Sequence, residues 1–572
     1  MFPGKLFILI PLFITALSTT NPDSDKFISP VKIPLLLSAN FAEIRSDHFH
    51  SGIDIRTQGV TGHEVVAAAS GYVYRISVSP GGFGKALYLR HPSGYSTVYG
   101  HLDSFTPEIE EYVRDAQYAN RNFTVNLFPQ TGKFTFRQGQ TIAWSGNTGS
   151  SGGPHLHYEI RKSDSEIPLD PLTFDFGVRD NIKPVIESLV VYPADPSCSI
   201  NGSNHELLIP VQGSHGNYYV RSDRQIAING SAGFGIRTYD LLNDSWNRCG
   251  VYSIELTIDG ETLYFFEMDG FSFDETRYVN SHIDYRRKIR DNVTIQKTFV
   301  APNDRLSAYK SLKNNGLFEF VSDTVHNIQI KVSDSHGNSS VLSFRVSSES
   351  GAGLPASTAP SNGRFLQYDK PYRMSDGDII VSFSERSFYD DIVFTYDRTE
   401  RPETLYADIF NILDRFTPIH NTYRLSIKPE IVPPHLRGKM AIVSVNDDGS
   451  CSYVGGEWSE DYLVTDTRSF GRFTVGVDTI APVIKANGFK SGADLTGRRI
   501  IRFNISDDMS GIKSYEAYID NNWALLEYDP KNTLIVHNFD ERRTEKDKNH
   551  TLLLRITDNR DNVTELNAEF RW

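Results

Sequence analysis

The chain has little cysteine, methionine or tryptophan. Its 572 residues include 3 cysteines, 5 methionines and 5 tryptophans. Exported proteins that depend on disulfides usually carry more cysteines, in even number. A bridge between Cys198 and Cys249 and the absence of any bridge are equally compatible with the sequence. We therefore expect hydrophobic cores, and not a disulfide framework, to hold the fold together.

No block of basic residues occurs either. Lysine and arginine total 58 against 71 aspartates and glutamates, which gives a formal net charge of −13. A protein that binds nucleic acid needs a basic surface to neutralise phosphates. We therefore expect no nucleic-acid partner, and the acidic surface is expected to favour solubility.

The sequence also lacks an apolar run of about 20 residues, the length that a membrane-spanning helix requires. The most apolar stretch, LFILIPLFITAL, follows Lys5 and is interrupted by Pro11. A short positive segment, an apolar run and then small residues are typical of a signal peptide. The pattern predicts a signal peptide at residues 1–20, no membrane span, and an exported product in the periplasm or associated with the cell envelope.

Strand-forming sequence, in contrast, is plentiful. The segment at 71–79 alternates apolar and polar residues and is followed by a glycine-rich turn at 80–84. Short alternating segments separated by such turns predict antiparallel sheets, so the expected fold class is mainly β. One segment differs: after Thr106 and Pro107, apolar residues recur at helical spacing. This pattern predicts a short helix inserted between strands.

Two later segments echo each other, since residues 180–186 read DNIKPVI and residues 478–484 read DTIAPVI. Each begins a unit of short alternating strands and acidic turns, a pattern typical of immunoglobulin-like sandwiches. The acidic turns near Asp507 and Asp558 offer clustered oxygen ligands for calcium. They match no defined ligand spacing, so solvated turns are the simpler interpretation.

These features predict a chain of several β domains. The first echo unit is the longer one, which indicates an insertion at about 265–320, and a stretch of small residues is typical of a linker. After the signal peptide, the predicted parts are a first β domain at 28–175, an immunoglobulin-like β-sandwich domain with an insertion at 178–347, a linker at 348–363, a β domain at 364–475 and a C-terminal immunoglobulin-like β-sandwich domain at 476–572.

The first β domain contains 7 of the 16 histidines, and five residues stand in three ordered motifs. HSGID contains His50 and Asp54, YGHL contains His101, and HLHYEIR contains His155 and His157. Because side chains alternate along a strand, His155 and His157 are expected to share one face. Histidine is a common metal ligand and general base, so the cluster predicts chemistry.

Catalytic zinc typically takes three protein ligands, such as two histidines and a carboxylate, and leaves one position for water. The metal lowers the pKa of that water towards about 7, which yields a nucleophile at neutral pH. A further base or hydrogen-bond donor then handles the proton and the oxyanion. The five residues of the three motifs suffice for these roles.

In these motifs the chain resembles the lysostaphin-type (LytM-type) zinc peptidases, over about residues 35–172. The resemblance implies that His50, Asp54 and His157 hold one zinc ion per chain and that His101 and His155 are catalytic. It also implies a small antiparallel β domain with a groove over the zinc. The chain departs from the family after His101, where the inserted helix lengthens the segment and leaves the shape of the groove open.

The resemblance implies a function as well: hydrolysis of peptide cross-links of bacterial peptidoglycan by zinc-activated water. Peptidoglycan peptides are the expected substrate, and the C-terminal β domains are available for protein partners. One alternative is a non-catalytic wall-binding or regulatory protein of the same fold, and another is a surface adhesin. His48 is expected either to border the groove or to support a metal ligand from outside the ligand set. Glu159 either orients a neighbouring histidine or is a solvated strand residue.

Overall fold

The computed structural model describes residues 26–174, 177–348 and 363–572. The predicted signal peptide at 1–20 lies outside the described residues, as does nearly all of the predicted linker at 348–363. Antiparallel sheets make up most of the described chain, and the prediction of a mainly β fold is confirmed. Within these ranges, no helix combines the length and the apolar character that crossing a membrane requires.

Residues 26–174 form an eleven-stranded sheet and one helix. The strands are β1 (Leu37–Ala39), β2 (Ile53–Arg56), β3 (Glu64–Val66), β4 (Gly71–Val78), β5 (Lys85–Arg90), β6 (Tyr95–Phe105), β7 (Val125–Leu127), β8 (Thr135–Phe136), β9 (Thr141–Ser145), β10 (His155–Lys162) and β11 (Pro168–Leu169). Their main order is β1-β2-β10-β6-β5-β4-β7, and β9 pairs with both β3 and β6. The central strand β10 is therefore flanked by β2 and β6, and all three carry motif residues.

The predicted helix is present as α1 (Pro107–Asn120), between β6 and β7. It begins after Thr106, whose side chain makes no capping hydrogen bond. Instead the Glu110 carboxylate accepts a hydrogen bond from the backbone N–H of Phe105 at 2.8 Å. Ile109 and Val113 are buried at helical spacing, so packing on the sheet fixes the helix.

Residues 177–348 form a thirteen-stranded assembly. Its long strand Ala227–Tyr239 pairs both with Val185–Pro193 and with Ser339–Ser348. The strands are Val185–Pro193, Ser199–Ile200, Leu207–Pro210, Gln212–Ser214, Asn217–Tyr219, Ala227–Tyr239, Ser253–Ile258, Glu261–Glu267, Gln296–Lys297, Tyr309–Leu312, Phe318–Phe320, Val325–Ser333 and Ser339–Ser348. The predicted insertion contains α2 (Val279–His282), α3 (Tyr285–Asp291) and a 3-10 turn at Phe273–Tyr278. All three cysteines of the chain are free, so no Cys198–Cys249 bridge forms.

The last two regions are each built mainly from two sheets. Residues 363–478 contain Arg364–Leu366, Tyr372–Ser375, Ile379–Phe383, Ile392–Phe394, Tyr396–Thr399, Ile409–Ile412, Tyr423–Ile427, Met440–Val445, Cys451–Gly455, Glu457–Ser459, Tyr462–Thr467 and Gly471–Val477. The C-terminal unit contains Val483–Asn487, Ala493–Asp494, Ile500–Ser506, Ile512–Ile519, Asn522–Ala524, Glu527–Asp529, Leu534–Asn538, Asn549–Asp558 and Val563–Arg571. Short 3-10 turns lie at Asn314–Gly316, Arg437–Lys439 and Pro530–Asn532.

The C-terminal unit packs against the first β domain. Trp523 meets Tyr118 of α1 edge to face at 5.3 Å, and Arg542 pairs with Glu111 of α1 at 2.8 Å. The ammonium group of Lys531 is hydrogen-bonded to three backbone carbonyls of the loop at 147–151. The exposed face of α1 and this loop therefore both contact the last unit of the chain.

Candidate metal centre

Two neighbouring strands bring the first and third motifs together. In the antiparallel pairing of β2 with β10, Asp54 lies directly opposite His157. His50 precedes β2, and its Nε2 lies 3.0 Å from Asp54 Oδ1 and 3.1 Å from His157 Nδ1. His157 Nδ1 lies 3.0 Å from the same oxygen. The three side chains are buried, and their ligand atoms form a nearly equilateral triangle.

The hydrogen bonds on the far side of each ring fix which nitrogen faces the triangle. His50 Nδ1 donates to the carbonyl oxygen of Asn40 at 2.7 Å, and a carbonyl can only accept. His157 Nε2 lies 2.8 Å from the Glu159 carboxylate, which also accepts. In the neutral rings, the lone pairs of His50 Nε2 and His157 Nδ1 therefore point at a carboxylate oxygen. Such a convergence requires a proton or a metal ion between the three atoms, so the donor set fits zinc.

Charges around the triangle favour a cation within it. Burial raises the pKa of Asp54, but the nearby His50 and hydrogen bonds from two other histidines outweigh it and hold the pKa well below its usual range. Burial lowers the pKa of His157, yet hydrogen bonds to Asp54 and Glu159 bring it to about 9. Both effects mean that positive charge is stabilised at this point.

Glu159 is fully buried and bridges His157 to Arg161, whose Nε lies 2.5 Å from the carboxylate. Burial raises the pKa of Glu159, but Arg161 and His157 outweigh it and bring the value to about 2. The carboxylate is therefore ionised and fixes the orientation and tautomer of His157. Of the two interpretations left open by the sequence, the structure places Glu159 in the orienting position, and it is not a solvated strand residue.

His101 and His155 lie beside the triangle, with their rings 4.7 Å apart. His101 Nδ1 donates to the Thr148 carbonyl at 2.8 Å, and His155 Nδ1 donates to the Gly153 carbonyl at 2.8 Å. Nε2 is thus the ring nitrogen of each histidine that no backbone carbonyl holds, and that of His155 lies 3.5 Å from Asp54 Oδ1. Burial, followed by the two neighbouring histidines, lowers the pKa of His101 to about 3, so this ring is neutral.

The backbone around His101 is specialised. His101 has a φ of 57°, in the left-handed region that non-glycine residues seldom adopt. Its N–H donates to the Phe83 carbonyl at 2.8 Å, and the Phe83 ring stacks on His157 at 4.7 Å. Gly149 has a φ of 71°, and a Cβ there would lie 2.3 Å from the backbone nitrogen of Gly84. The two loops that carry these residues are therefore locked against each other.

The structure brings together all five motif residues predicted from the sequence. His48 is exposed, bonds to Asp47 at 2.9 Å and takes no part in the triangle. Sequence reasoning missed Asn40, which orients His50, and Arg45, which pairs with the outer oxygen of Asp54 at 3.1 Å. Neither residue carries a local signal, because both reach the site through the long segment before β2.

Comparison with known proteins gives two family matches and several relatives. Residues 48–119 match the model described as peptidase family M23, and residues 363–478 match the model described as a Zu5-like domain. An uncharacterized metalloprotease of Haemophilus influenzae is 35% identical over 124 residues, which are 22% of this chain and 20% of that protein. The DD-carboxypeptidase/endopeptidase Mpg of Neisseria meningitidis serogroup B is 33% identical over 124 residues, which are 22% of each.

The name of a third relative describes a different role. The murein hydrolase activator NlpD of Salmonella dublin is 27% identical over 175 residues, which are 29% of this chain and 39% of that protein. The chain thus spans only 20% to 39% of the length of these three relatives. The three motifs, their convergence on one triangle and the family match over residues 48–119 together identify a peptidase M23 (LytM-type) domain in the first part of the chain.

Proposed function

We propose that the chain is an exported zinc-dependent endopeptidase that hydrolyses peptide cross-links of bacterial peptidoglycan. The observation that carries the proposal is the convergence of a carboxylate oxygen and two histidine nitrogens on one point, beside two further histidines whose Nδ1 atoms are held by backbone carbonyls. Titratable groups gathered around one buried point in this way are typical of functional sites.

In the proposed site, His50, Asp54 and His157 hold one zinc ion. Zinc bound there supplies Lewis-acid chemistry towards a carbonyl oxygen and a water molecule. The Asn40 carbonyl and the Glu159 carboxylate hold the two ligand histidines in the required tautomers. Arg45 occupies the outer oxygen of Asp54 and leaves Oδ1 to face the centre.

His101 and His155 then move protons. A backbone carbonyl holds the Nδ1 of each ring, which leaves Nε2 as the atom that can take the proton of the attacking water. The protonated ring becomes a donor that stabilises the developing oxyanion or gives its proton to the leaving amine. The Thr148 and Gly153 carbonyls stabilise each ring when it is charged. Measuring the activity of each single-histidine variant would show which of the two histidines takes the proton and which one donates it.

The proposed substrate class is inferred from the names of two relatives, DD-carboxypeptidase/endopeptidase and murein hydrolase activator. Both refer to the bacterial wall, which agrees with the signal peptide predicted at residues 1–20. We propose that the peptidase domain spans 28–175 and that the three later units, at 178–347, 364–475 and 476–572, position it. Protein partners of these units belong to the same proposal.

The test is digestion of purified peptidoglycan by the full chain, with the released muropeptides identified by mass spectrometry. We expect cleavage that a chelator abolishes and added zinc restores, and no cleavage by His157→Ala. His48→Ala, at an exposed neighbour outside the triangle, is the matched control and should cleave normally. Full activity of His157→Ala or of the chelated protein would show that the proposal is wrong.

A non-catalytic activator of a wall hydrolase is the second candidate, because one relative bears that description. The intact set of three ligands and two catalytic histidines favours the enzyme. Metal analysis separates the two: an activator without zinc that stimulates a separate hydrolase, and releases no muropeptide alone, would favour the second candidate.

A further inference from the structure

The two units that begin with the similar segments 180–186 and 478–484 each have a cluster of aspartates, at the same place in their folds. In each unit, one aspartate lies five residues before the first long strand, namely Asp180 and Asp478. A second directly follows the strand that pairs with it, namely Asp240 and Asp507. The sheet therefore brings the two carboxylates of each unit to the same end.

The third aspartate of each cluster has the same hydrogen bonds in both units. Asp334 accepts from the backbone N–H of residues 336 and 338 at 2.9 Å and from the Asn338 amide at 2.7 Å. Asp558 accepts from residues 560 and 562 at 2.8 Å and from the Asn562 amide at 2.7 Å. Asn338 and Asn562 also reach back to the carbonyls of the first aspartates. The clusters are therefore copies of one structure.

The carboxylates are close together. Ligand atoms of Asp478, Asp507 and Asp558 lie within 4.8 Å of one another, as do those of Asp180, Asp334 and His336. Asp240 lies outside that group of three and lines a small cavity together with Asp334. The position of His336 is taken by Arg560 in the second unit, so histidine is not part of the shared set. Among the described residues, no lysine or arginine forms an ion pair with any of the six aspartates. No basic side chain of lysine or arginine in the described part of the chain therefore pairs with either cluster.

Each cluster contains buried side-chain oxygens that have no hydrogen-bond partner. Asp240 is only 1% exposed, and its Oδ1 has no hydrogen-bond partner. Asp507 Oδ1 and Ser510 Oγ are unpartnered in the second unit, where the backbone N–H of Ser510 donates to Asp478. A buried polar atom left without a partner costs free energy, so a ligand is expected to satisfy it.

A small cavity borders the first cluster. Its volume is about 10 Å³, and Asp170, Asp240 and Asp334 are among the residues that line it. Space of this size accommodates about one water-sized particle. Burial, followed by the charges of Asp180 and Asp334, raises the pKa of Asp240 to about 8, which shows how unfavourable the bare carboxylate is there.

We propose that each aspartate cluster binds one divalent cation, and that this cation is calcium. The shared donors are all oxygens, which calcium prefers, whereas zinc prefers nitrogen and sulfur. Calcium also tolerates irregular geometry with six to eight oxygen ligands, whereas magnesium demands a near-ideal octahedron. Two calcium ions per chain are therefore expected in addition to the metal of the triangle.

Both clusters lie at junctions between units, which gives the bound calcium a role. Asp170 belongs to the end of the first β domain, and Asp180 lies in the segment that leads to the next unit. Asp478 directly follows the strand Gly471–Val477, and its N–H donates to the Lys439 carbonyl of the preceding unit at 2.9 Å. A calcium ion at each junction would fix the angle between successive units.

Equilibrium dialysis with calcium on the full, zinc-loaded chain tests the proposal. We expect two calcium ions per wild-type chain and one for each of Asp240→Asn and Asp507→Asn, which keep the shape of the side chain and remove its charge. Asp447→Asn, at an exposed acidic turn, is the matched control and should retain two. Two ions in both cluster variants, or none in the wild type, would overturn the proposal.

Two further readouts do not depend on the variants. Calcium should raise the unfolding temperature of the wild-type chain and slow amide exchange at residues 182 and 480, and equimolar magnesium should have a clearly smaller effect. Equal effects of both cations would overturn the choice of calcium. Stability that depends on pH but not on calcium would show that the clusters hold shared protons instead. None of these outcomes depends on whether the chain cleaves peptidoglycan.

Discussion

At the residue scale, Glu159 links the candidate metal centre to the rest of the sheet. Its carboxylate is hydrogen-bonded to His157 on one side and to Arg161 on the other, and it is not exposed to solvent. Glu159→Gln preserves the size of the side chain but removes the charge that fixes His157. Because partners of this kind typically change metal affinity by about 10-fold to 100-fold, we expect a loss of that order in zinc affinity.

Competition with a zinc-binding dye measures this loss. Glu108→Gln, an exposed change in the first turn of α1, is the matched control and should leave the affinity unchanged. An unaltered affinity of Glu159→Gln would mean that the buried carboxylate only stabilises the fold.

A second residue, His282, makes folding depend on pH. It is 1% exposed, stacks on Phe266 at 4.6 Å and bonds to Gln296 at 3.0 Å. Burial lowers its pKa from 6.5 to about 4. As the pH falls below 6.5 the unfolded chain gains a proton that the folded chain does not accept until about pH 4. Stability should therefore fall across this window by up to about 3 kcal/mol and then level off.

Denaturant unfolding between pH 7 and pH 4 checks this expectation. His282→Gln should lose less stability across the window than the wild type, whereas the exposed His205→Gln should behave like the wild type. Equal slopes for all three proteins would contradict the assignment.

At the element scale, variants of the inserted helix α1 measure how much packing and charge each contribute to its stability. Ile109 is fully buried, and Ile109→Ala should cost about 2–5 kcal/mol because it leaves a cavity under the helix. Glu111 makes an exposed ion pair with Arg542, and Glu111→Gln should cost less than about 1 kcal/mol. Thermal unfolding of both variants measures the difference. Equal losses would mean that docking of the C-terminal unit, and not the core, holds the helix.

The sequence predicted those elements whose signals are local. Alternation along 155–162 correctly placed His155 and His157 on one face, and the proline at 107 marked the start of α1. The spacing within each motif singled out the five residues, whereas the assignment of His50 and His157 as ligands came from the family resemblance. The role of Glu159 stayed open, since alternation gives the face of a strand but not what covers it. Asn40 and Arg45 could not be found, because their partners depend on how a separate unit holds the segment before β2.

At the scale of the whole molecule, Lys531 connects the C-terminal unit to the candidate active site. It binds carbonyls of Gly149 at 3.2 Å and Ser151 at 3.1 Å, in the loop whose residues 148 and 153 orient His101 and His155. Lys531→Met removes these bonds and should loosen the loop. Because small misplacements of catalytic groups are costly, we expect kcat/KM to fall on the order of 10-fold or more.

Hydrogen exchange of the loop amides and kinetics on one muropeptide check this prediction. Lys490→Met, an exposed change in the same unit, is the control and should alter neither. Faster exchange without a loss of rate would show that the loop is held but not needed for chemistry. A higher rate would show that the unit restrains the enzyme.

The segment before β2 has a consequence for how the chain can be divided. Phe41 and Phe49 lie in the hydrophobic core of the unit at 177–348, and Asn40 exchanges two hydrogen bonds of 2.8 Å with Gly250. The chain thus passes through the hydrophobic core of the unit at 177–348 immediately before His50, the first residue of the triangle. A fragment cut at residue 175 would expose two phenylalanines and release the carbonyl that orients this ligand. Chimeras that transplant the M23-type domain onto another scaffold should therefore include residues 177–348 as well, because exchanging the two parts independently in evolution would disrupt the site.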